Sequence, residues 1–293
     1  LGAPQVAEEA LRINTPFRFV PQLKHMGARM AARSGLSPLF RNQVIIAQRE
    51  LPPLEEALAT ALGRTDFELS ISSGTPGPAR KPTIAVLAPN GQWLAFIKVS
   101  RSGISHRLVE NEARCLRYLN AHPVLASYVP ELLFDAEVDN VFVAAQRALP
   151  GVMPGTEMTA SHRYLLEALG DGPDVLANES QFMVSMRDRA YEAASQEPRL
   201  QAAIGLVEHA LRGVSLPRTI VHGDFTPWNL RHFNDTISAF DWEYGVIDGL
   251  PLLDEMQYRL QAGLLLQDWT EDQALEHLIS FESVQPNRQY EPR

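Results

Sequence analysis

The strongest constraint on the fold lies between Pro82 and Val99, where two apolar runs, PTIAVLA and QWLAFIKV, flank Asn90-Gly91. Asn-Gly between such runs signals a β-hairpin, because both central residues of the tight turn must tolerate positive φ. An earlier run, FELSIS, and a later one, VFVAAQ, extend the strand pattern on either side. Side chains alternate along a strand, so Leu94, Phe96 and Lys98 share one face. The segment from Arg107 to Leu119 then takes a helical period, with Leu108, Glu112, Leu116 and Leu119 on one stripe. A carboxylate buried without a partner is costly, so Glu112 on that stripe needs a cation. Lys98 on the preceding strand is the candidate, and Glu110 falls on a different face.

The chain changes character at Leu149-Pro150-Gly151. Beyond it, Leu200, Ile204, Val207 and Leu211 form a helical stripe ended by Gly213 and Pro217. A short apolar entry, TIV, leads straight into HGDFTPWNL, and LRHF and ISAF flank Asn234-Asp235 as a further hairpin that ends at Asp241. Ahead of the strands, Pro21 to Arg33 reads as a basic helix and Pro52 to Leu62 as a second one. The expected architecture is α+β: a basic helical extension over 1–65, an antiparallel-sheet lobe over 66–149 and a mainly helical lobe over 150–293.

With 293 residues, 45% hydrophobic and 21% charged, the chain can bury a sizeable core. A net charge of -9 argues against broad nucleic-acid binding, which rests on neutralising phosphates. No apolar run approaches the roughly 20 residues that span a bilayer. The lone Cys115 rules out an internal disulfide framework and points to a reducing, cytoplasmic setting. Charge is unevenly spread: between Ala10 and Gln48 stand Arg12, Arg18, Lys24, Arg29, Arg33 and Arg41 with no acid. That segment reads either as a solvated basic face beside an acidic body or as a weak contact, through residues 10–48, with an anionic surface.

In HGDFTPWN, Asn229 follows Asp224 by five residues, and Asp241 lies just beyond the next hairpin. That is the spacing of a kinase catalytic loop and its metal ligand. Phosphoryl transfer asks for a carboxylate to orient and deprotonate a hydroxyl, here Asp224, and for oxygen ligands to magnesium, here Asn229 and Asp241. His222 is expected to bond backbone around the loop, and Trp228 and Trp242 to pack.

These residues resemble the hallmarks of the aminoglycoside phosphotransferase and choline kinase group, small-molecule kinases of protein-kinase-like fold. His222, Gly223, Asp224 and Asn229 match the loop, and Asp241, Trp242 and Glu243 the metal segment. The resemblance implies a two-lobed fold over roughly Phe67 to Phe281, with ATP and Mg2+ between the lobes. It implies that Lys98 contacts the α and β phosphates, that Glu112 holds Lys98, and that the backbone at Leu149 meets adenine. Gly74 and Gly77 stand where a phosphate loop is expected, and Gly249, Pro251 and Asp254 resemble the structural follow-on to the metal-binding Asp. A protein kinase would carry Arg in place of Gly223, Asp-Phe-Gly in place of Asp241-Trp242-Glu243, and a later Ala-Pro-Glu. Their absence favours a small-molecule hydroxyl acceptor: a sugar, amino sugar, aminoglycoside or amino alcohol. The alternative is a nucleotide-binding pseudokinase or scaffold that engages an anionic partner or membrane surface through its basic segment.

Overall fold

The computed structural model describes residues 4–14, 19–36, 53–73, 77, 79–138, 140–193 and 197–280. They divide into two compact units, and the fold class is α+β.

The first unit comprises the described residues up to Ala113 together with Pro130–Ala148. Its helices are α1 (Pro4–Ala10), α2 (Phe19–Arg33), α3 (Pro53–Leu62) and the beginning of α4 (Gly103–Asn120). Its strands are β1 (Glu68–Ser72), β2 (Thr83–Leu87), β3 (Trp93–Ser100), β4 (Leu132–Val138) and β5 (Val141–Arg147). They form one antiparallel sheet in the order β1-β2-β3-β5-β4. Strand β4 escapes the sequence pattern because Asp135 and Glu137 interrupt its apolar run, which an edge strand tolerates.

Both faces of this sheet are covered. Leu58 of α3 packs with Ile84, Val86, Ala95, Ile97, Val143 and Ala145 on one face. The opposite parity carries Ala85 and Leu87 against Val6 of α1, and Ala144 against Val109 and Ala113 of α4. Covered on both sides, β2 reads in the sequence as a continuous apolar run rather than an alternation.

The β2–β3 turn differs from the tight two-residue type expected of Asn-Gly. The Gly91 N–H donates to Ala88 O at 2.8 Å, the Ala88 N–H donates to Gln92 O at 2.8 Å, and of the pair only Gly91 has positive φ, 84°. Pro89 suits the first central position of such a longer loop, Gly91 supplies the left-handed residue after it, and Asn90 Oδ1 accepts the Gln92 N–H at 3.0 Å.

The basic segment finds its counter-charges just upstream. In α1, Glu8 accepts Arg29 at 2.7 Å and Arg33 at 3.4 Å, and Glu9 lies 3.3 Å from Arg12. Arg18 and Arg41 lie outside the described residues.

The second unit comprises Arg114–Val129 and the described residues from Leu149 onward. It holds the end of α4, then α5 (Pro123–Ala126), α6 (Ala160–Leu169), α7 (Gln181–Ala193), α8 (Pro198–Ala210), α9 (Leu253–Leu266) and α10 (Glu271–Ile279). Its strands, β6 (Asp174–Leu176), β7 (Ser215–Pro217), β8 (Thr219–Val221), β9 (Leu230–Phe233), β10 (Thr236–Ala239) and β11 (Val246–Gly249), make three two-stranded antiparallel pairs: β6 with β7, β8 with β11, and β9 with β10. The β9–β10 turn is the expected tight one, with Asn234 and Asp235 both at positive φ, 47° and 59°.

The stripe expected on α8 is only partly buried: Ile204 is enclosed, but Leu200 and Val207 are 43% and 41% exposed. Among the described elements α8 packs chiefly on α7, so one narrow side of it is covered. A deeper site surrounds His162 of α6, whose Nδ1 accepts the Thr159 N–H at 3.1 Å and whose ring meets Tyr258 edge-on at 5.1 Å. Burial, reinforced by the charge of His232, depresses its pKa to about 4.

In the unfolded chain His162 takes up a proton near pH 6.5, which the folded chain refuses until about 4. The stability it contributes is complete above pH 6.5 and is lost as pH falls from 6.5 to 4. Urea unfolding of the wild type and of His162→Gln should therefore show the wild type losing ground to the variant across that window. A stability difference independent of pH would show that His162 is not held neutral by the fold.

Candidate active site

In the first unit the alternation of β3 turns Lys98 to the face that α4 covers. Lys98 stands opposite Ala144 in the β3–β5 register, and Ala144 packs on Val109 and Ala113, so small residues let α4 approach the sheet. Glu112, on the same buried side of α4, places Oε2 2.6 Å from Lys98 Nζ. The residues are only 1% and 7% exposed, respectively. Gln146 of β5 donates from Nε2 to Glu112 Oε1 at 3.4 Å. Glu110 is exposed and lies 3.8 Å from His106, so the helical register read from the sequence is the observed one.

The other nucleotide-site candidates are more scattered. Gly77 is exposed and its carbonyl accepts the Arg80 N–H at 3.1 Å, while Gly74 lies outside the described residues. Leu149, partly buried, opens the second unit just after β5.

In the second unit the loop from His222 to Asn229 hangs between β8 and β9. It is fixed first through its backbone: Asp254, buried at the start of α9, accepts the His222 N–H on Oδ2 at 2.7 Å and the Gly223 N–H on Oδ1 at 3.0 Å. Burial raises the Asp254 pKa to about 6; the two amide bonds oppose this and the nearby Asp224 charge adds to it. Gly223 bends the chain at φ 77°, and a Cβ there would fall 2.4 Å from the Tyr244 carbonyl oxygen, so no larger residue fits. His222 bonds backbone on both sides, as expected. Its Nε2 meets Phe240 O at 2.9 Å and its Nδ1 accepts the Asp224 N–H at 3.2 Å. That acceptance assigns the ring proton to Nε2.

The side chains then converge on Asp224. Asn229, at the end of the short 3-10 turn Pro227–Asn229, donates from Nδ2 to Asp224 Oδ2 at 2.8 Å and to its carbonyl at 3.0 Å. Gln257 of α9 donates from Nε2 to Asp224 Oδ1 at 3.3 Å and accepts the Phe225 N–H at 3.3 Å. Because Asn229 turns its amide nitrogen to Asp224, its Oδ1 points away as a neutral oxygen donor suited to a hard cation.

The hairpin brings Asp241 to the same end of the unit. Leu230 pairs with Ala239, and the Phe240 N–H donates to Asn229 O at 3.0 Å, so Asn229 enters the hairpin beside the point where Asp241 leaves it. Asp241 takes left-handed backbone, φ 68° and ψ 56°, a conformation that Asp adopts more readily than most residues. Carboxylate oxygens of Asp241 and Glu243 lie within 4.8 Å of each other, a spacing that one cation can bridge. Trp242 between them is fully buried, donates from Nε1 to Ala239 O at 2.9 Å and packs on the His222 ring at 4.6 Å. The oxygen-only donor set of Asn229, Asp241 and Glu243 fits magnesium by type.

The sequence model of the phosphotransferase enzyme family matches residues 76–254, which include Lys98, Glu112, Asp224, Asn229, Asp241 and Asp254. The chain belongs to this family. Among curated proteins none matches it. Solved structures similar to this phosphotransferase include an aminoglycoside phosphotransferase in complex with ADP and hygromycin B, at 16% identity and TM-score 0.46, covering 71% of this chain and 76% of that one. An aminoglycoside phosphotransferase of Streptomyces rimosus is 12% identical with TM-score 0.45, covering 80% and 94%. A choline/ethanolamine kinase family protein of Mesorhizobium loti is 14% identical with TM-score 0.43, covering 73% and 70%.

Two residues that hold candidate side chains go unread in the sequence: Gln146, which bonds Glu112 in the first unit, and Gln257, which bonds Asp224 in the second. Gln257 follows Asp254 by three residues and so lies on the same side of α9, a helical spacing that marks a polar side of the helix without tying it to Asp224. Gln146 carries no comparable signal, because it closes an apolar strand run as an ordinary terminal polar residue would.

The buried ion pair makes a stability prediction. Glu112→Leu takes this carboxylate from a Lys98 that stays buried and should destabilise the protein by about 3–5 kcal/mol. Lys98→Met combined with Glu112→Leu should recover most of that loss, as read by denaturant unfolding. A double variant no more stable than the single one would contradict the argument.

Proposed function

We propose that this phosphotransferase transfers the γ-phosphoryl group of ATP, with magnesium, to a hydroxyl of a small molecule such as a sugar, amino sugar, aminoglycoside or amino alcohol. The observation that carries the reading is the fixed carboxylate of Asp224, held on Oδ2 by the Asn229 amide at 2.8 Å. Asn229 thereby ties the base to the oxygen donors at the end of the β9–β10 hairpin.

In the proposed reaction Asp224 orients the acceptor hydroxyl and takes its proton as the oxygen bonds to the γ-phosphorus. The bond from that phosphorus to the bridging oxygen breaks, and ADP leaves with the electron pair. Asn229 and Asp241 hold magnesium, which when bound neutralises charge on the triphosphate. Lys98, kept in place by Glu112, meets the α and β phosphates, and Gly77, Gly74 and Leu149 are assigned to the nucleotide as well. The segment Asp241-Trp242-Glu243 and the lack of Ala-Pro-Glu favour a small acceptor over a protein.

The test is ADP release from magnesium-ATP with a panel of sugars, amino sugars, aminoglycosides and amino alcohols. Asp224→Asn should lower kcat by about a hundred- to ten-thousandfold with ATP affinity within a few-fold. Asp241→Asn should instead weaken magnesium-dependent nucleotide binding as well as turnover. Nucleotide binding without turnover on any acceptor would favour a scaffold, and a fully active Asp224→Asn would remove the base assignment.

A further inference from the structure

The proposed base is gripped by two amides, and only one of them belongs to the loop motif. Gln257 reaches Asp224 from the second turn of α9. The direction of its amide is fixed from both ends. A backbone N–H can only donate, so the group facing Phe225 N at 3.3 Å must be Oε1, which leaves Nε2 for Asp224 Oδ1 at 3.3 Å. A charged carboxylate can only accept, which demands the same orientation. Asn229 Nδ2 holds the other oxygen, Oδ2, at 2.8 Å. One donor on each oxygen prevents the carboxylate from turning about its Cβ–Cγ bond. A single donor would leave it free to pivot around that contact.

The support behind Gln257 is rigid. Asp254, one turn earlier on α9, takes the His222 and Gly223 amides, and Tyr258, the next residue, is fully buried with its hydroxyl donating to Gly155 O at 2.6 Å. One stretch of helix therefore holds the backbone of residues 222, 223 and 225 and the side chain of 224.

We infer that Gln257 is a positioning residue for phosphoryl transfer, whose Nε2 donor sets the orientation of Asp224. This rests on the reading of Asp224 as the base. Misplacement of a reacting group by about 1 Å can cost on the order of a hundredfold in rate, so the orientation of one carboxylate is a sufficient lever.

The experiment compares Gln257→Glu with Gln257→Met, measuring ADP release from magnesium-ATP with the best acceptor of the panel, alongside thermal unfolding and Asp224→Asn. Glu keeps the size and the acceptor for Phe225 but removes the donor to Asp224, whereas Met removes both. Both variants should lose kcat by about ten- to a hundredfold with KM for ATP within about threefold, and Glu should lose at least as much as Met. If Gln257 served only to satisfy the Phe225 amide, Glu would keep wild-type kcat and only Met would lose stability, and the inference would fall. Failure of both variants to fold would make Gln257 a structural residue and overturn it too. An inactive Asp224→Asn beside a fully active Gln257→Glu sinks the positioning role alone, while an active Asp224→Asn sinks the base assignment and the inference that rests on it.

Discussion

The chemistry assigned to the second unit hangs from one carboxylate that touches no substrate in that assignment. Asp254 gathers the successive amides of His222 and Gly223, at 2.7 and 3.0 Å. Buried backbone N–H groups must find acceptors, and a loop that turns through positive φ between two short strands cannot supply them from its own backbone. The cost of burying Asp254 is visible in a pKa pushed up to about 6, and the amides return part of it. The left-handed bend falls on a glycine because a Cβ at residue 223 would need the space that the Tyr244 carbonyl fills. The anchoring residue thus precedes the reactive one in the chain of causes. The loop is pinned by its backbone first, and only then can Asp224 have a defined direction.

From there the order is carried by pairs in which each partner fixes the orientation of the next. The His222 ring is fixed by Asp224 N–H on one side and Phe240 O on the other. Through Phe240 it links the loop to the residue before Asp241. Asn229 has its amide turned by Asp224, and its backbone carbonyl closes the β9–β10 hairpin. These bonds are individually modest, about 0.5–1.5 kcal/mol net for neutral pairs and more for charged ones. Their value here is geometric. An amide or imidazole with a committed donor has an equally committed acceptor, and the committed acceptor of Asn229 is the oxygen proposed to hold magnesium.

The parts of this arrangement that were legible in the sequence are those with a local cause. Tight hairpins follow from residues that tolerate positive φ, so Asn234-Asp235 turned as read. Asn90-Gly91 marked a hairpin correctly but not its length, because Pro89 recruits a further residue into the turn. The Lys98–Glu112 contact followed from period two on a strand, period 3.6 on a helix and the need to neutralise a buried carboxylate. Strand β4 was hidden because an edge position relaxes the apolar requirement. The pairing of Arg29 and Arg33 with Glu8 was hidden because it depends on α1 folding back along α2, a tertiary event. The Gln257 clamp was hidden for the same reason, since nothing local ties residue 257 to residue 224.

The Lys98–Glu112 pair raises a question that stability alone does not answer. Replacing a buried ion pair with apolar residues of similar volume is often neutral or stabilising, because two desolvation costs offset the attraction. Part of the surroundings of Lys98 suits such a replacement: Ala144 lies opposite on β5, and Val109 and Ala113 pack on Ala144. An ion pair in such a setting needs a reason outside the packing. A lysine ammonium whose carboxylate partner is fixed by a sheet and a helix is a cation with a fixed address. The proposed contact with nucleotide phosphates supplies the missing reason. It also explains why Gln146 steadies the far oxygen of Glu112: a lysine can meet a phosphate reproducibly only if the carboxylate that holds it is itself held.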